Sequence, residues 1–538
     1  MSQSSIKLLS KKTIDQSFSV EAIQQLILKN RHIKTPLKDF LKPPFPKADF
    51  IDLKPSLKFI KKYQNKSIFI YADYDVDGIT SATLLWQTLS SLNYQAHPYI
   101  PHRNRDGYGF NYSSFKKYIK QKKLKIDLII SVDNGIVAHQ EIEKAQKDGY
   151  HFFIIDHHLA DKKLPSAQLI LHSTKVSAAG LTWLFCHQLS SQADLGLAAL
   201  GTVADCLPLT EINRSLVVHG LNSLNVNPSP GIKKLIQISA AKLGNLSSYD
   251  LAFLLAPRIN ATGRLSDPMD SLRLLCSNNS LQAGKYASIL HTQNQLRKDL
   301  QKEATDLALK KITKTPKSFI LLSDPSFNPG IIGLLAGRLT EKYHLPSLVI
   351  SQEKEISKGS ARSIPQIDLI KTLRQYQNLF SELGGHPAAA GFSLPTKNIP
   401  LLKKKLDSYF KKHFSKLDLK THLDVDATFH PSALTLKNIK AVQELQPFGI
   451  GNPQPVFLFK DLILLNFKLL RQDHSHLKLT LIDQSNPRQY LDAIAFKKGD
   501  LAPSLKQNQN ISLVASLDIN TWNSTSKAQL IVKDILSD

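Results

Sequence analysis

Cysteine is scarce. Only Cys186, Cys206 and Cys276 occur in 538 residues, and no two are spaced as CxxC. That argues against a disulfide framework and against a structural zinc site, and it suits a reducing compartment. Long apolar runs are also missing. No stretch approaches the roughly 20 apolar residues that a membrane span needs, and the first dozen residues lack an apolar core followed by a small-residue cleavage site. The expectation is a cytoplasmic protein that touches no membrane. Acidic side chains are the third shortage, with 44 Asp and Glu against 69 Lys and Arg and a net charge of +25. Such a surface attracts polyanions, although a lysine-rich proteome would produce the same total.

Several of the acids are gathered. Asp73, Asp75 and Asp77 alternate directly after the apolar run Ser67-Ile-Phe-Ile-Tyr71, and Asp133, Asp156-His157-His158 and Asp205 follow. In extended chain, alternate side chains share a face. Two unit charges about 4 Å apart repel by about 1 kcal/mol in water and about 4 kcal/mol at an effective dielectric near 20. The group therefore reads as a metal site. Taken singly, Asp73-Tyr74-Asp75 is equally an Asx-turn or a helix N-cap. A lone Asp205 is more often a turn or capping residue than a ligand, and a lone His157 more often a satisfied, partly buried histidine. Their joint occurrence at successive strand ends favours the metal reading.

The texture predicts an α/β chain. Residues 1–65 read as an irregular basic lead-in broken by Pro43-Pro44-Phe45-Pro46. In 66–283, apolar runs ending near Tyr71, Val132 and Ile155 alternate with helical segments, which predicts a parallel sheet with ligands at the carboxyl ends of its strands. Residues 284–315 lack proline and have Leu296, Leu300, Ala304 and Leu307 at helical spacing, which predicts one long connecting helix. A second α/β unit is expected over 316–400. In 401–538, a linker and short alternating runs predict a small β-barrel.

Asp73-Tyr-Asp75-Val-Asp77-Gly78, Val132-Asp-Asn-Gly135, Asp156-His157-His158 and Gly201-Thr-Val-Ala-Asp205 resemble the ordered motifs of the DHH phosphoesterase superfamily. Within it the chain resembles the single-stranded-DNA-specific 5′→3′ exonucleases. Pro101-His-Arg103, Ala256–Arg264, Gly359–Ser363, Gly384-Gly-His386 and Gln446–Pro453 extend the match. The resemblance implies a parallel-sheet DHH catalytic lobe, a DHH-associated lobe and an OB-like barrel for nucleic acid. It implies two divalent cations in which Asp75 holds one, Asp77, His157 and Asp205 hold the other, and Asp133 bridges them. Asp73 would stand beside the first ion and His158 would face the scissile phosphate. A mixed carboxylate and imidazole set suits Mn²⁺, with Mg²⁺ the abundant competitor. Asp156 would orient an imidazole from behind the ligands.

Arg103, Arg258, Asn260, Arg264, Arg362, Ser363 and His386 would hold the strand near its 5′ end. Two positions depart from the family. Tyr71 stands where some members have a histidine, and Asn328 replaces the imidazole of the usual Trp-His-Pro-Gly. The implied partner is single-stranded DNA in recombination and repair, with a single-strand-binding protein alongside a monomeric enzyme. Two alternatives stay open. One is an oligoribonuclease or phosphoadenosine phosphatase of the same superfamily, which a side-by-side assay of long DNA and dinucleotides separates. The other is a strand-binding scaffold without catalysis, which the retained acids and histidine disfavour.

Overall fold

The computed structural model describes residues 5–413, 422–523 and 525–537. Two short strands, Ser5–Leu8 (β1) and Thr13–Ile14 (β2), come first. The catalytic sheet follows: Ser67–Ala72 (β3), Gln95–Tyr99 (β4), Leu128–Val132 (β5), His151–Asp156 (β6) and Leu169–His172 (β7). Its order is β4-β3-β5-β6-β7 and every pairing is parallel. Alternation along β3 divides the core. Ile68 and Ile70 pack with Ile79 and Trp183 on one face, while Phe69 and Tyr71 pack with Phe115 and Phe152 on the other. Both faces are thus covered by helices, as a parallel sheet requires. The Tyr71 ring lies in this second core and its hydroxyl donates to the Gly109 carbonyl at 3.2 Å. That removes it from the neighbouring acids.

The connecting helix is Ser280–Lys311, 32 residues or about 48 Å at 1.5 Å per residue. Asn279 caps it by accepting from the Gln282 N–H. Ala283, Ala287 and Leu290 pack into the catalytic core, and Ala304 and Ala308 pack against Ile320, Ile331 and Leu335 of the next lobe. One rigid rod therefore spans both lobes. The second sheet comprises Ile320–Asp324 (β8), Ser347–Ser351 (β9), Ile356–Arg362 (β10), Glu382–His386 (β11) and Ala389–Pro395 (β12), in the order β11-β12-β10-β9-β8. The helix Ile399–His413 buries Leu402, Leu406 and Phe410 in this lobe's core, so the lobe continues past the expected limit at residue 400.

The last strands are His422–Val425 (β13), Ala427–Phe429 (β14), Phe457–Leu470 (β15), His476–Asp483 (β16), Asn486–Ala495 (β17), Asn510–Trp522 (β18) and Thr525–Ser537 (β19). The ring β15–β16–β17–β19–β18–β15 closes on itself, which removes free edges and makes a five-stranded barrel of OB type.

The expected irregular lead-in over residues 1–65 is corrected. β1 pairs with β13 and β2 with β14, both parallel. The helix Val20–Asn30 has Ser19 as its N-cap and buries Ile23, Leu26 and Ile27 in the barrel core. Leu53, Ile60 and Tyr63 instead enter the catalytic core. The segment is shared between two domains. Strands of two to four residues leave no readable alternation, and their partners lie some 400 positions away.

Candidate metal centre

The carboxyl ends of three adjacent strands, β3, β5 and β6, deliver the acids. Asp75 N-caps the helix Val76–Ser91, its Oδ1 accepting the Gly78 N–H at 3.2 Å. It is a cap and a member of the cluster at once, because its other oxygen stays available. A Cβ on Gly78 would lie 2.5 Å from the Asp73 carbonyl, so only glycine lets the turn close this tightly. Asp77 is buried at the N-terminus of the helix Ala178–Leu189 and accepts the N–H groups of Ala178 at 2.7 Å and Ala179 at 2.9 Å. Gly201 permits the helix Leu195–Ala204 to approach, since a Cβ there would stand 2.6 Å from Asp77 Oδ1. That helix ends on Asp205.

Three sets of groups converge with ligand atoms within 4.8 Å of one another: Asp77, His157 and Asp205; Asp73, Asp75 and Asp133; Asp133, His157 and His158. His157 Nε2 lies 3.2 Å from Asp133 Oδ1, 3.5 Å from Asp205 Oδ2 and 3.6 Å from Asp77 Oδ2. Among the described residues, neither His157 Nε2 nor Asp133 Oδ1 has a hydrogen-bond partner, and buried Asp73 Oδ1 has none either. Buried polar atoms are ordinarily satisfied. Acceptors facing one another across such gaps fit cations between them, and the oxygen and nitrogen donors suit Mn²⁺ or Mg²⁺.

Electrostatics agree. Burial, then Asp75, raise Asp77 to about 7. Burial, then Asp77 and Asp75, raise Asp205 to about 8. Asp73 and Asp133 are also pushed well up, first by burial and then by neighbouring carboxylates. Burial and His158 push His157 down to about 4, leaving its ring neutral as a metal ligand must be. Burial opposes the charge on His158, but the hydrogen bond and charge of Asp156 outweigh it and raise the imidazole to about 9. Asp156 Oδ1 lies 2.8 Å from His158 Nδ1 and accepts the N–H groups of His157 and His158, while Oδ2 accepts the Ile136 N–H. It thereby ties the Asp133 loop to the two histidines.

These shifts predict a stability trend. A carboxylate whose folded pKa lies above its unfolded value binds its proton more tightly when folded, so its contribution is complete below about 4 and lost as pH rises through about 7 to 8. Chelator-treated protein should melt at lower temperature as pH rises from about 5 to about 8, and Mn²⁺ should raise the melting temperature most at the upper end. Thermal scans with EDTA and with Mn²⁺ test this; a flat metal-free profile would remove the inferred proton uptake.

The substrate residues expected from the sequence divide. Arg264 is lowered to about 10 by burial, then by Arg103 and Arg297, with Arg362 also contributing. Among the described residues none of these four guanidinium groups pairs with a carboxylate. Arg103 also lies 5.6 Å from the Tyr74 ring and acts electrostatically on Asp73, which places this cationic group beside the acids. Converging arginines without counter-ions suit a phosphate. Arg297, on the connecting helix, escaped sequence reading. Its Nε and Nη1 donate to Asn294 and Gln301, neutral acceptors that leave its charge uncompensated.

Arg258 and Asn260, expected at the strand, have partners within the chain. Arg258 turns inward, 6% exposed, donating to the Leu254 carbonyl at 2.6 Å. Asn260 Oδ1 accepts the Val76 N–H at 3.1 Å and so braces the Asp75 turn. Ser363 Oγ donates to the Ile367 carbonyl, and His386 stands exposed at the end of edge strand β11. Asn328 Oδ1 accepts the Gly330 N–H at 2.8 Å, closing a turn whose glycine abuts the Arg264 carbonyl. Lys116, Lys117, Lys120, Lys122, Lys123 and Lys125 are exposed along and just past the helix Tyr112–Lys122, and Lys116 pairs with Asp148.

Residues 67–207 match the DHH family N-terminal domain, 316–412 the DHHA1 domain and 425–534 the RecJ OB domain. The single-stranded-DNA-specific exonuclease RecJ of Bacillus subtilis is 32% identical over 511 residues, which are 90% of this chain and 64% of that protein. The Thermus thermophilus exonuclease of the same name is 28% identical over 90% of this chain and 71% of its own. The chain thus spans a little under two thirds of the first relative's length. A crystal structure of RecJ in complex with Mn²⁺ from Thermus thermophilus superposes with a TM-score of 0.83 at 26% identity, covering 96% of this chain and 76% of that one. A manganese-bound exonuclease RecJ gives 0.62 at 29% identity over 70% of this chain and 99% of that one. No described helix is long and apolar enough to cross a membrane.

Proposed function

The chain belongs to the RecJ family of DHH phosphoesterases, and from that premise we propose that it is a 5′→3′ exonuclease specific for single-stranded DNA, using two divalent cations, Mn²⁺ in preference to Mg²⁺. The observation that carries this reading is the unbonded 3.2 Å approach of His157 Nε2 to Asp133 Oδ1 among four further carboxylates. Asp77, His157 and Asp205 would hold one ion, Asp75 the other, with Asp133 shared between them and Asp73 beside the second. Divalent cations bound there supply charge stabilisation on the phosphodiester oxygens and promote ionisation of water.

The protein's own residues do the rest. His158, kept protonated by Asp156, offers an N–H to the phosphoryl oxygens as their charge builds. That N–H is the one on Nε2, which lies 3.2 Å from the Tyr108 hydroxyl and would pass from it to the strand when the phosphodiester enters. Arg103, Arg264, Arg297 and Arg362 take the terminal phosphate, while Asn260 steadies the turn bearing Asp75. Water adds to phosphorus, the bond to the 3′ oxygen breaks and that oxygen gains a proton. A mononucleotide leaves, and the remaining strand keeps a 5′-phosphate for the same arginines. We read the enzyme as a cytoplasmic monomer acting in recombination and repair, its strand delivered by a single-strand-binding protein; the free cysteines suit that compartment.

Digestion of 5′- and 3′-end-labelled strands and of duplex, with Mn²⁺, Mg²⁺ or chelator, tests polarity, strandedness and ion together. The expected result is early release of 5′-labelled mononucleotide, no reaction in chelator and a resistant duplex. Early release of the 3′ label, or turnover in chelator, would refute it. If about six phosphates are contacted, log affinity against log salt should have a slope of about −4.

A further inference from the structure

Asp205 differs from the other acids in how it is held. Asp77 takes two backbone N–H groups and Asp75 takes one, but among the described residues no donor bonds the Asp205 carboxylate. Only its backbone places it. The helix before it closes with the Cys206 N–H on the Val203 carbonyl and the Leu207 N–H on the Thr202 carbonyl, with Cys206 at φ +60°. This is a tight left-handed stop. The chain that leaves it, Leu207–Thr210, lies against the barrel domain.

Three alternate carbonyls of one barrel-domain loop face the catalytic lobe, and each accepts a hydrogen bond from it. Gln446 O accepts from Arg214 Nη2 at 2.6 Å, Phe448 O from Ser248 Oγ at 2.7 Å and Ile450 O from the Leu209 N–H at 2.7 Å. Arg214 is buried, has no carboxylate partner among the described residues, and stacks 3.6 Å over the Phe40 ring. The loop is itself rigid. Asn452, fully buried, donates to the carbonyls of Leu445 and Pro447 and accepts from Arg31. Packing is tight at the point of contact. A Cβ on Gly449 would come within 2.7 Å of Leu209 Cδ1, and one on Gly451 within 3.0 Å of Pro208 Cβ.

We propose that the Gln446–Asn452 loop is a positioning element for the metal centre, holding Asp205 in place through Leu209. It acts through the backbone and touches neither ion nor strand. The barrel domain is then a determinant of metal affinity as well as a surface for DNA. The inference rests on the proposed role of Asp205.

The test titrates the full-length protein with Mn²⁺, without DNA, and reads the free ion by electron paramagnetic resonance. Gly449→Val and Gly451→Val crowd the contact from the barrel side; Gly449 has an ordinary φ, so its variant leaves the loop's backbone unstrained. Hydrogen exchange at the Leu209 amide reports undocking. Both variants should weaken one Mn²⁺ site about tenfold and raise the half-saturating Mn²⁺ for exonuclease activity by the same factor, with kcat restored at saturating ion. A purely structural role would lower melting temperature and leave the isotherm alone. Unchanged Mn²⁺ binding in variants whose Leu209 amide exchanges faster would overturn the proposal. Asp205→Asn separates the two levels: if it leaves the isotherm unchanged the metal-centre reading fails, whereas if it alone weakens binding only the bracing role fails.

Discussion

Asp133→Asn is expected to lower kcat by at least about 10³-fold, a loss of about 4 kcal/mol in transition-state stabilisation, while single-strand affinity changes by less than about threefold. Asp133 belongs to two of the three converging groups, so its loss would damage both ion positions at once. The arginines that would grip the strand are untouched. Asparagine is the better probe than alanine because residue 133 sits at φ +61°, a conformation that Asn and Asp tolerate and Ala resists. Burial and four neighbouring carboxylates push Asp133 well up. Removing its charge should therefore raise the melting temperature of the metal-free protein near pH 8 even as activity disappears. Single-turnover hydrolysis and a binding titration in Ca²⁺ or chelator read the two effects separately. Retained hydrolysis would eliminate the proposed centre.

Arg264→Ala should act on the other parameter. Its guanidinium stands among Arg103, Arg297 and Arg362 with no carboxylate counter-ion among the described residues, so each substrate phosphate entering there relieves repulsion between them. The expected outcome is a KM about 30-fold higher, or about 2 kcal/mol, with kcat within about threefold. The salt slope should become shallower by about 0.7 as one contact is lost. Arg264→Lys should recover only part of the affinity, because an ammonium cannot reproduce a planar fork. Steady-state kinetics at several salt concentrations would show it; an unchanged KM and slope would remove Arg264 from the strand-binding group.

Much of the layout was legible because it is local. The apolar runs ending at Tyr71, Val132 and Ile155 are strands, and the acids after them come together because parallel strands put all their carboxyl ends on one edge. The absence of proline and the spacing of Leu300, Ala304 and Leu307 marked the long helix, though its first turn at Ser280 was missed because Gly284 interrupts the pattern. The internal partners of Arg258 and Asn260 were not legible in this way. Helical spacing says which residues share a face, not which face is turned inward, and the helix Ala256–Leu265 packs Arg258 against Leu254 and His291. Arg297 was missed because one arginine on a charged helix carries no mark of what faces it.

What the chain determines by itself is whatever repeats within a few residues: strand alternation, helical periodicity, and which acids and imidazoles are present near which strand ends. Tertiary structure alone decides that β1 and β2 join a domain more than 400 residues away, that Leu209 meets Ile450, and that four arginines share one space. The reason is physical. Local periodicity follows from backbone geometry common to all sequences, whereas distant segments meet where joint burial and backbone pairing are most favourable, and that choice leaves no periodic trace in either segment.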